Sequence, residues 1–267
     1  MGTEKARDGT PIAYDEQGWG RTVILVDGAL GYRRFGAAST LAKLLAPRFR
    51  VITYDRRGRG ESGDTQPYAL GREIDDLEAL IASSGGSASL YGISSGACLA
   101  LEAALSLGGQ VERLALYEPP YNGDASERKE WQDYDRELTT LLTEGRHDEA
   151  LALFMGFLGA PAEMIEQMRQ SPVWPTMVAV APTLAYDKAA IGPDRKVPTD
   201  RAGQLTIPTL VMNGSLTLPF IQDAATALAA ALPQGRHLIL EGQRHDVSPD
   251  VLAPILTDFF AEAEHDR

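Results

Sequence analysis

The pentapeptide Gly92-Ile93-Ser94-Ser95-Gly96 sets a serine between two glycines in the pattern G-x-S-x-G. A serine raised on a sharp strand-to-helix turn sits in strained backbone geometry, and the crowding leaves no room for side chains two residues to either side. The surroundings suit such a turn, because Ser87–Tyr91 is strand-like and a helical pattern begins near Ser95. The chemistry would be nucleophilic attack, which needs a base to take the serine proton and a carboxylate to stabilise the charged base. The alternative is a glycine-rich turn with a capping serine. The four histidines, His147, His237, His245 and His265, show no paired ligand spacing, so no metal is expected. Cys98 is the single cysteine, which excludes an intramolecular disulfide and a CxxC metal site. It lies one helical turn beyond Ser94 and reads as a small buried hydrophobe.

The elements that must position these groups alternate. Val23–Val26 is a short apolar run ending in Asp27-Gly28, and a helical pattern follows over Ala37–Leu45. Arg50–Tyr54 reads as a strand, Gly71–Ser83 as an amphipathic helix, Ala97–Leu107 as a helix and Val111–Tyr117 as a strand. This order predicts an α/β fold with a parallel sheet and helices on both faces. From Tyr121 to Gln204 no strand-like run occurs. Helical stretches at Glu130–Glu144, Asp148–Leu158 and Ala162–Gln170 carry apolar faces, and prolines punctuate the rest. The rhythm resumes with a strand at Thr209–Asn213, a helix at Gln222–Leu232, a strand at His237–Glu241 and a last helix near Pro249–Glu264.

Composition bounds the partners. The chain has 267 residues, with 25 Lys+Arg against 37 Asp+Glu for a net charge of −12. An acidic chain lacks the basic face that nucleic acid or anionic lipid requires. Arg56-Arg57-Gly58-Arg59-Gly60 is accordingly read as a short turn after Tyr54-Asp55 and not as a phosphate patch. The apolar content of 44% excludes wholesale disorder. No apolar run approaches the roughly 18–20 residues of a membrane span, and the first residues have no signal-peptide h-region. The expectation is a cytoplasmic protein with no membrane or nucleic-acid partner; the sequence sets no oligomeric state.

Strand, serine turn, helix and helical insertion in this order resemble the α/β-hydrolase superfamily over nearly the whole chain. The resemblance implies a core of residues 1–120 and 202–267, with an inserted helical cap over 121–201. In that family the elbow serine is followed by an acid and then by a histidine base. Ser94 takes the first place, and His245, in Glu241-Gly242-Gln243-Arg244-His245, takes the last. Most relatives carry an Asp shortly after the penultimate strand. Here Asn213-Gly214-Ser215-Leu216-Thr217-Leu218-Pro219 puts Thr217 there, and a neutral hydroxyl cannot stabilise an imidazolium. Certain haloalkane dehalogenases and the zearalenone lactonases place the acid after the strand that follows the elbow helix. This chain has Leu116-Tyr117-Glu118-Pro119-Pro120 at that point, which keeps the order Ser94, Glu118, His245. The alternative for Glu118 is a solvated loop carboxylate. Asp246 would have to curl back to reach the ring of its neighbour, and Asp223 lies on the following helix.

Three further matches resemble the lactonase branch: Asp27-Gly28, Ser94-Ser95-Gly96-Ala97 and Pro172-Val173-Trp174. They imply a ring-opening ester hydrolase with Trp174, Leu30 and Tyr121 against the substrate, although Trp174 also suits a cap-core aromatic. By the same resemblance the oxyanion donors are the backbone N–H of Ser95 and that of Gly28 or Ala29. Asp27 stands where the family usually has His. The implied activity is cofactor-free cleavage of a small carboxylic ester or lactone. Dehalogenation and epoxide opening are disfavoured, since both need a carboxylate where Ser94 stands. The alternatives are a non-hydrolytic lyase or cyclase on the same fold, or a ligand-binding pseudoenzyme.

Overall fold

The computed structural model describes residues 1–124 and 127–262. His265 and the end of the expected last helix, Glu264, lie outside them. Among the described residues, the strands are β1 (Gly2–Lys5), β2 (Pro11–Gln17), β3 (Thr22–Val26), β4 (Arg50–Tyr54), β5 (Ala88–Ile93), β6 (Val111–Tyr117), β7 (Thr209–Gly214) and β8 (Gly235–Leu240). They form one sheet in the order β1-β2-β4-β3-β5-β6-β7-β8. Only the β1–β2 and β2–β4 pairings are antiparallel. Every residue of β3 and β7 is buried, as covered parallel strands require.

Helices α1 (Ala38–Leu45), α2 (Leu70–Ser83) and α3 (Ser95–Leu107) connect the first parallel strands. Six more follow β6: α4 (Arg128–Thr143), α5 (His147–Phe157), α6 (Ala162–Arg169), α7 (Trp174–Val180), α8 (Leu184–Ile191) and α9 (Thr199–Ala202). Helix α10 (Pro219–Ala231) joins β7 to β8, and α11 (Pro249–Ala261) ends the described chain. One apolar layer, built on α2, α3 and α10, covers one sheet face, while α1 and α11 cover the other. Helix α3 is apolar nearly all round, and its small residues let it lie flat on β5 and β6. A third cluster joins Trp131, Tyr134, Leu151, Trp174 and Met177 of the helices after β6 to Leu30 of the β3 loop.

Two parts depart from expectation. The β1–β2 hairpin was not foreseen, because its strands are short, half exposed and interrupted by Glu4, Lys5, Asp15 and Glu16. Helices α7 and α8 occupy a stretch that the prolines made look irregular. Pro175 falls in the first turn of α7, where a missing N–H costs nothing, and Pro182 falls in the short turn joining α7 to α8.

Candidate active site

Ser94 follows directly on β5 and precedes the first residue of α3. Its backbone lies at φ 56°, ψ −130°, a conformation that costs a non-glycine residue about 1–3 kcal/mol. Packing on both sides enforces it. A Cβ on Gly92 would lie 2.4 Å from the Gly96 carbonyl oxygen. One on Gly96 would lie 2.3 Å from the Val26 oxygen and 2.4 Å from that of Asp27. The Ser94 N–H donates to the Tyr117 carbonyl at 2.9 Å, pinning the turn to β6. Ser95, not Ser94, therefore starts the helix, and the Ser94 side chain is half-buried.

Glu118 follows directly on β6 and is also left-handed, at φ 48°. It is fully buried, with 0% exposure, so it is not a solvated loop carboxylate. Its Oε1 accepts the Gly214 N–H at 2.9 Å, and its Oε2 accepts the Thr217 hydroxyl at 3.2 Å. Oε2 also lies 2.6 Å from His245 Nδ1. With the carboxylate as acceptor, Nδ1 carries the proton, which leaves Nε2 of the half-exposed ring as an acceptor. Thr217 thus spends its hydroxyl on the Glu118 carboxylate.

The histidine loop is held from two sides. The Tyr117 hydroxyl donates to the Arg244 carbonyl at 2.6 Å, and the Leu216 N–H donates to the Gln243 carbonyl at 3.0 Å. A Cβ on Gly214 would lie 2.2 Å from that same Gln243 oxygen, so β7 ends in direct contact with the loop. Ser94, Glu118, Thr217 and His245 follow β5, β6, β7 and β8, four neighbours in the sheet. All four lie outside the carboxyl ends of parallel strands, where open α/β sheets form their crevices.

Gly28 lies against the serine: a Cβ there would be 3.0 Å from Ser94 Cβ and 3.7 Å from its Oγ. Ala29 is next to it in the loop after β3. Burial pushes the Asp27 carboxyl up to about 6, although the Arg59 and Arg56 charges pull the other way. Burial also pushes the Cys98 thiol up to about 12, so it is an un-ionised part of the α3 core. His237 Nε2 is 2.7 Å from Asn213 Oδ1 on the neighbouring strand, a structural contact.

The residues expected against the substrate separate. Leu30, at φ 63°, comes from the loop beside Gly28 and packs under the helices after β6. Trp174 is 4% exposed, donates its indole N–H to Asp148 Oδ1 at 2.6 Å and lies under the Arg169 guanidinium. It is a core aromatic of those helices. Tyr121 is 1% exposed and packs into the layer that holds α3. Both side chains are thus packed among neighbouring residues, Trp174 within the helices after β6 and Tyr121 in the α3 layer.

A model of the Alpha/beta hydrolase family matches residues 18–254. The chain belongs to that family. Among solved structures it is similar to an alpha/beta hydrolase from Sphaerobacter thermophilus, at 47% identity and TM-score 0.86, over 97% of this chain and 100% of that one. A thermophilic esterase from Thermogutta terrifontis, with malate bound, is 25% identical at TM-score 0.73 over 97% of each chain. The enol-lactonase from Burkholderia xenovorans shares the fold at TM-score 0.71 and 20% identity, over 98% of this chain and 100% of that one.

In this alpha/beta hydrolase the sequence reading missed one group beside the serine. Arg56 and Arg59, taken for part of an ordinary turn, are buried at 0% and 1% exposure and meet Asp187 of α8. Three arginines within four residues of an acidic chain were the available signal. Nothing in the sequence indicated a partner 128 residues away.

Proposed function

We propose that the protein is a serine hydrolase of small carboxylic esters or lactones that needs no cofactor. Ser94 Oγ attacks the carbonyl carbon while His245 Nε2 takes its proton, and the charged ring is stabilised by Glu118. The carbonyl oxygen, now an oxyanion, accepts from the backbone N–H of Ser95 and from that of Gly28 or Ala29. Collapse expels the alkoxide, which takes the proton from His245 and leaves an acyl-serine. Water, deprotonated by His245, then releases the acid and restores Ser94. In a lactone the alkoxide and the acid remain in one opened product. Residues 121–201 act as a lid that selects the substrate.

The observation that carries this reading is the 2.6 Å contact between His245 Nδ1 and a fully buried Glu118, on the strand next to the left-handed Ser94. The esterase and enol-lactonase neighbours support an ester or lactone as substrate, and the motifs shared with the zearalenone lactonases support a ring ester. The test is labelling with an organophosphate at neutral pH. Intact mass should rise by one adduct, and Ser94→Ala should abolish it. A panel of lactones, simple esters and thioesters then finds the substrate, on which Glu118→Gln should lower kcat by about 10³–10⁴-fold, as loss of a triad acid does elsewhere. No adduct on the folded protein would turn the reading to ligand binding. Near-normal turnover in Glu118→Gln would remove the acid from its role.

A further inference from the structure

Asp187 of α8 is 4% exposed and gathers three donors. The Ser95 hydroxyl reaches its Oδ1 at 2.7 Å, and Arg56 Nη1 reaches the same oxygen at 2.6 Å. Arg59 Nη2 spans both oxygens, at 2.8 and 2.7 Å. Burial raises its pKa, but the charges of Arg59 and Arg56 and the Ser95 hydrogen bond outweigh that, and the net position lies below the ordinary carboxylate value. Both arginines then reach on to the loop after β3. Arg59 Nη1 donates to the Gly28 carbonyl at 2.6 Å and to that of Gly31 at 3.1 Å. Arg56 Nη1 donates to the Asp27 carbonyl at 3.2 Å, while its Nε and Nη2 hold Glu73 at 2.8 and 2.9 Å. Two guanidiniums and two carboxylates close the cluster at zero net charge.

A trans peptide unit is planar, with its N–H and C=O pointing in opposite directions. Fixing the Gly28 oxygen on Arg59 therefore fixes the direction of the Ala29 N–H. Fixing the Asp27 oxygen on Arg56 does the same for the Gly28 N–H. The remaining candidate donor, the Ser95 N–H, belongs to the residue whose hydroxyl ends on the same carboxylate. We infer that Asp187 is a positioning residue for the oxyanion hole, holding its donors in place through Arg59, Arg56 and the Ser95 hydroxyl. Asp187 comes from the helices inserted between β6 and β7, so those helices complete the hole as well as cover it. The inference rests on the acyl-transfer reading above.

Transition-state donors are revealed by kcat and by the identity of the atom that takes the charge. The experiment compares an activated oxygen ester with its thionoester analogue, whose sulfur is a poor hydrogen-bond acceptor, in wild type, Asp187→Asn and Ser95→Ala. Ser95→Ala keeps the backbone N–H and all the arginine pairs, so it remains informative if Asp187→Asn does not fold. Asp187→Asn should lower kcat on the oxygen ester by about 10–100-fold with KM within about threefold, and Ser95→Ala should lower it by about 3–10-fold. In both, the oxygen-to-sulfur rate ratio should fall, because the thionoester depends less on the donors. Unchanged kcat with an unchanged ratio in a labelled, active wild-type background overturns the positioning role alone. Equal losses on both esters overturn it too, since a merely structural defect has no preference for oxygen. An unlabelled, inactive wild type overturns the acyl-transfer reading and this role with it.

Discussion

At the residue scale, the fully buried Glu118 carboxylate is met by donors from two neighbouring segments. Glu118 and Thr217 meet at 3.2 Å, so the loop after β7 touches the carboxylate as a donor to it. Burying a carboxylate is costly unless it is hydrogen-bonded. Glu118 has a backbone N–H, a hydroxyl and an imidazole as partners. Asp27 is less well provided for. Its carboxyl sits near 6 because of burial, against 3.8 in the open chain. Between those values the folded protein holds a proton that the unfolded chain has released, so stability falls as pH rises through that window. The penalty approaches its full size above about pH 7, on the order of 3 kcal/mol at most. Asp27→Asn should therefore melt above wild type at about pH 8, with the difference vanishing towards pH 4. Thermal melts at about pH 4, 6 and 8 check this, and a difference that does not vary with pH refutes it.

At the element scale, the strand-turn-helix at Ser94 was legible because its glycines answer to local crowding that any sequence making this turn must meet. The structure names the crowding atoms: backbone oxygens of β5's own turn and of β3. Gly96→Ala should cost about 3 kcal/mol or more, since a backbone carbonyl cannot step aside as a flexible side chain can. Gly71→Ala is the control. It lies in α2 with nothing within 4 Å of its Cβ, and should be neutral or gain up to about 1 kcal/mol. Urea unfolding of the pair measures both, and a tolerated Gly96→Ala would mean that the β3–β5 contact is slack. Helices α7 and α8 were not legible, because prolines in a first turn and in a short connection look the same in sequence as prolines in a loop. The β1–β2 hairpin escaped because a half-exposed edge needs no continuous apolar run.

At the scale of the whole molecule, buried arginines join parts that sequence keeps apart. Arg57 is wholly buried and pairs with Asp76 of α2 at 3.0 and 2.6 Å. It also reaches Asp8, in the β1–β2 turn, at 2.9 Å. It therefore ties the hairpin to the helical layer. Arg57→Leu would strand the Asp76 carboxylate in the interior and should cost about 3–5 kcal/mol, far more than an exposed ion pair contributes. Thermal unfolding should register a fall of about 10 °C. A shift under about 2 °C would show that water reaches Asp76. The same arrangement explains how three arginines share a short turn of an acidic chain: the surrounding acids fold over them.

The sequence by itself determined the strand–helix alternation and the strand–turn–helix at Ser94, because hydrophobic period and turn chemistry act over a few residues; Glu118 and His245 were candidates only through the family resemblance. For the carboxylate that meets the histidine the sequence offered Glu118, with Asp246 and Asp223 as the alternatives. Only the tertiary structure decided it, by setting β5 to β8 side by side and closing a separation of 127 residues to 2.6 Å. It also decided that Trp174 and Tyr121 are packed, and that Asp187 stands behind Ser95. Those outcomes depend on long-range burial, which charges every unpaired polar group for its desolvation and so selects partners by place in the fold rather than by distance along the chain.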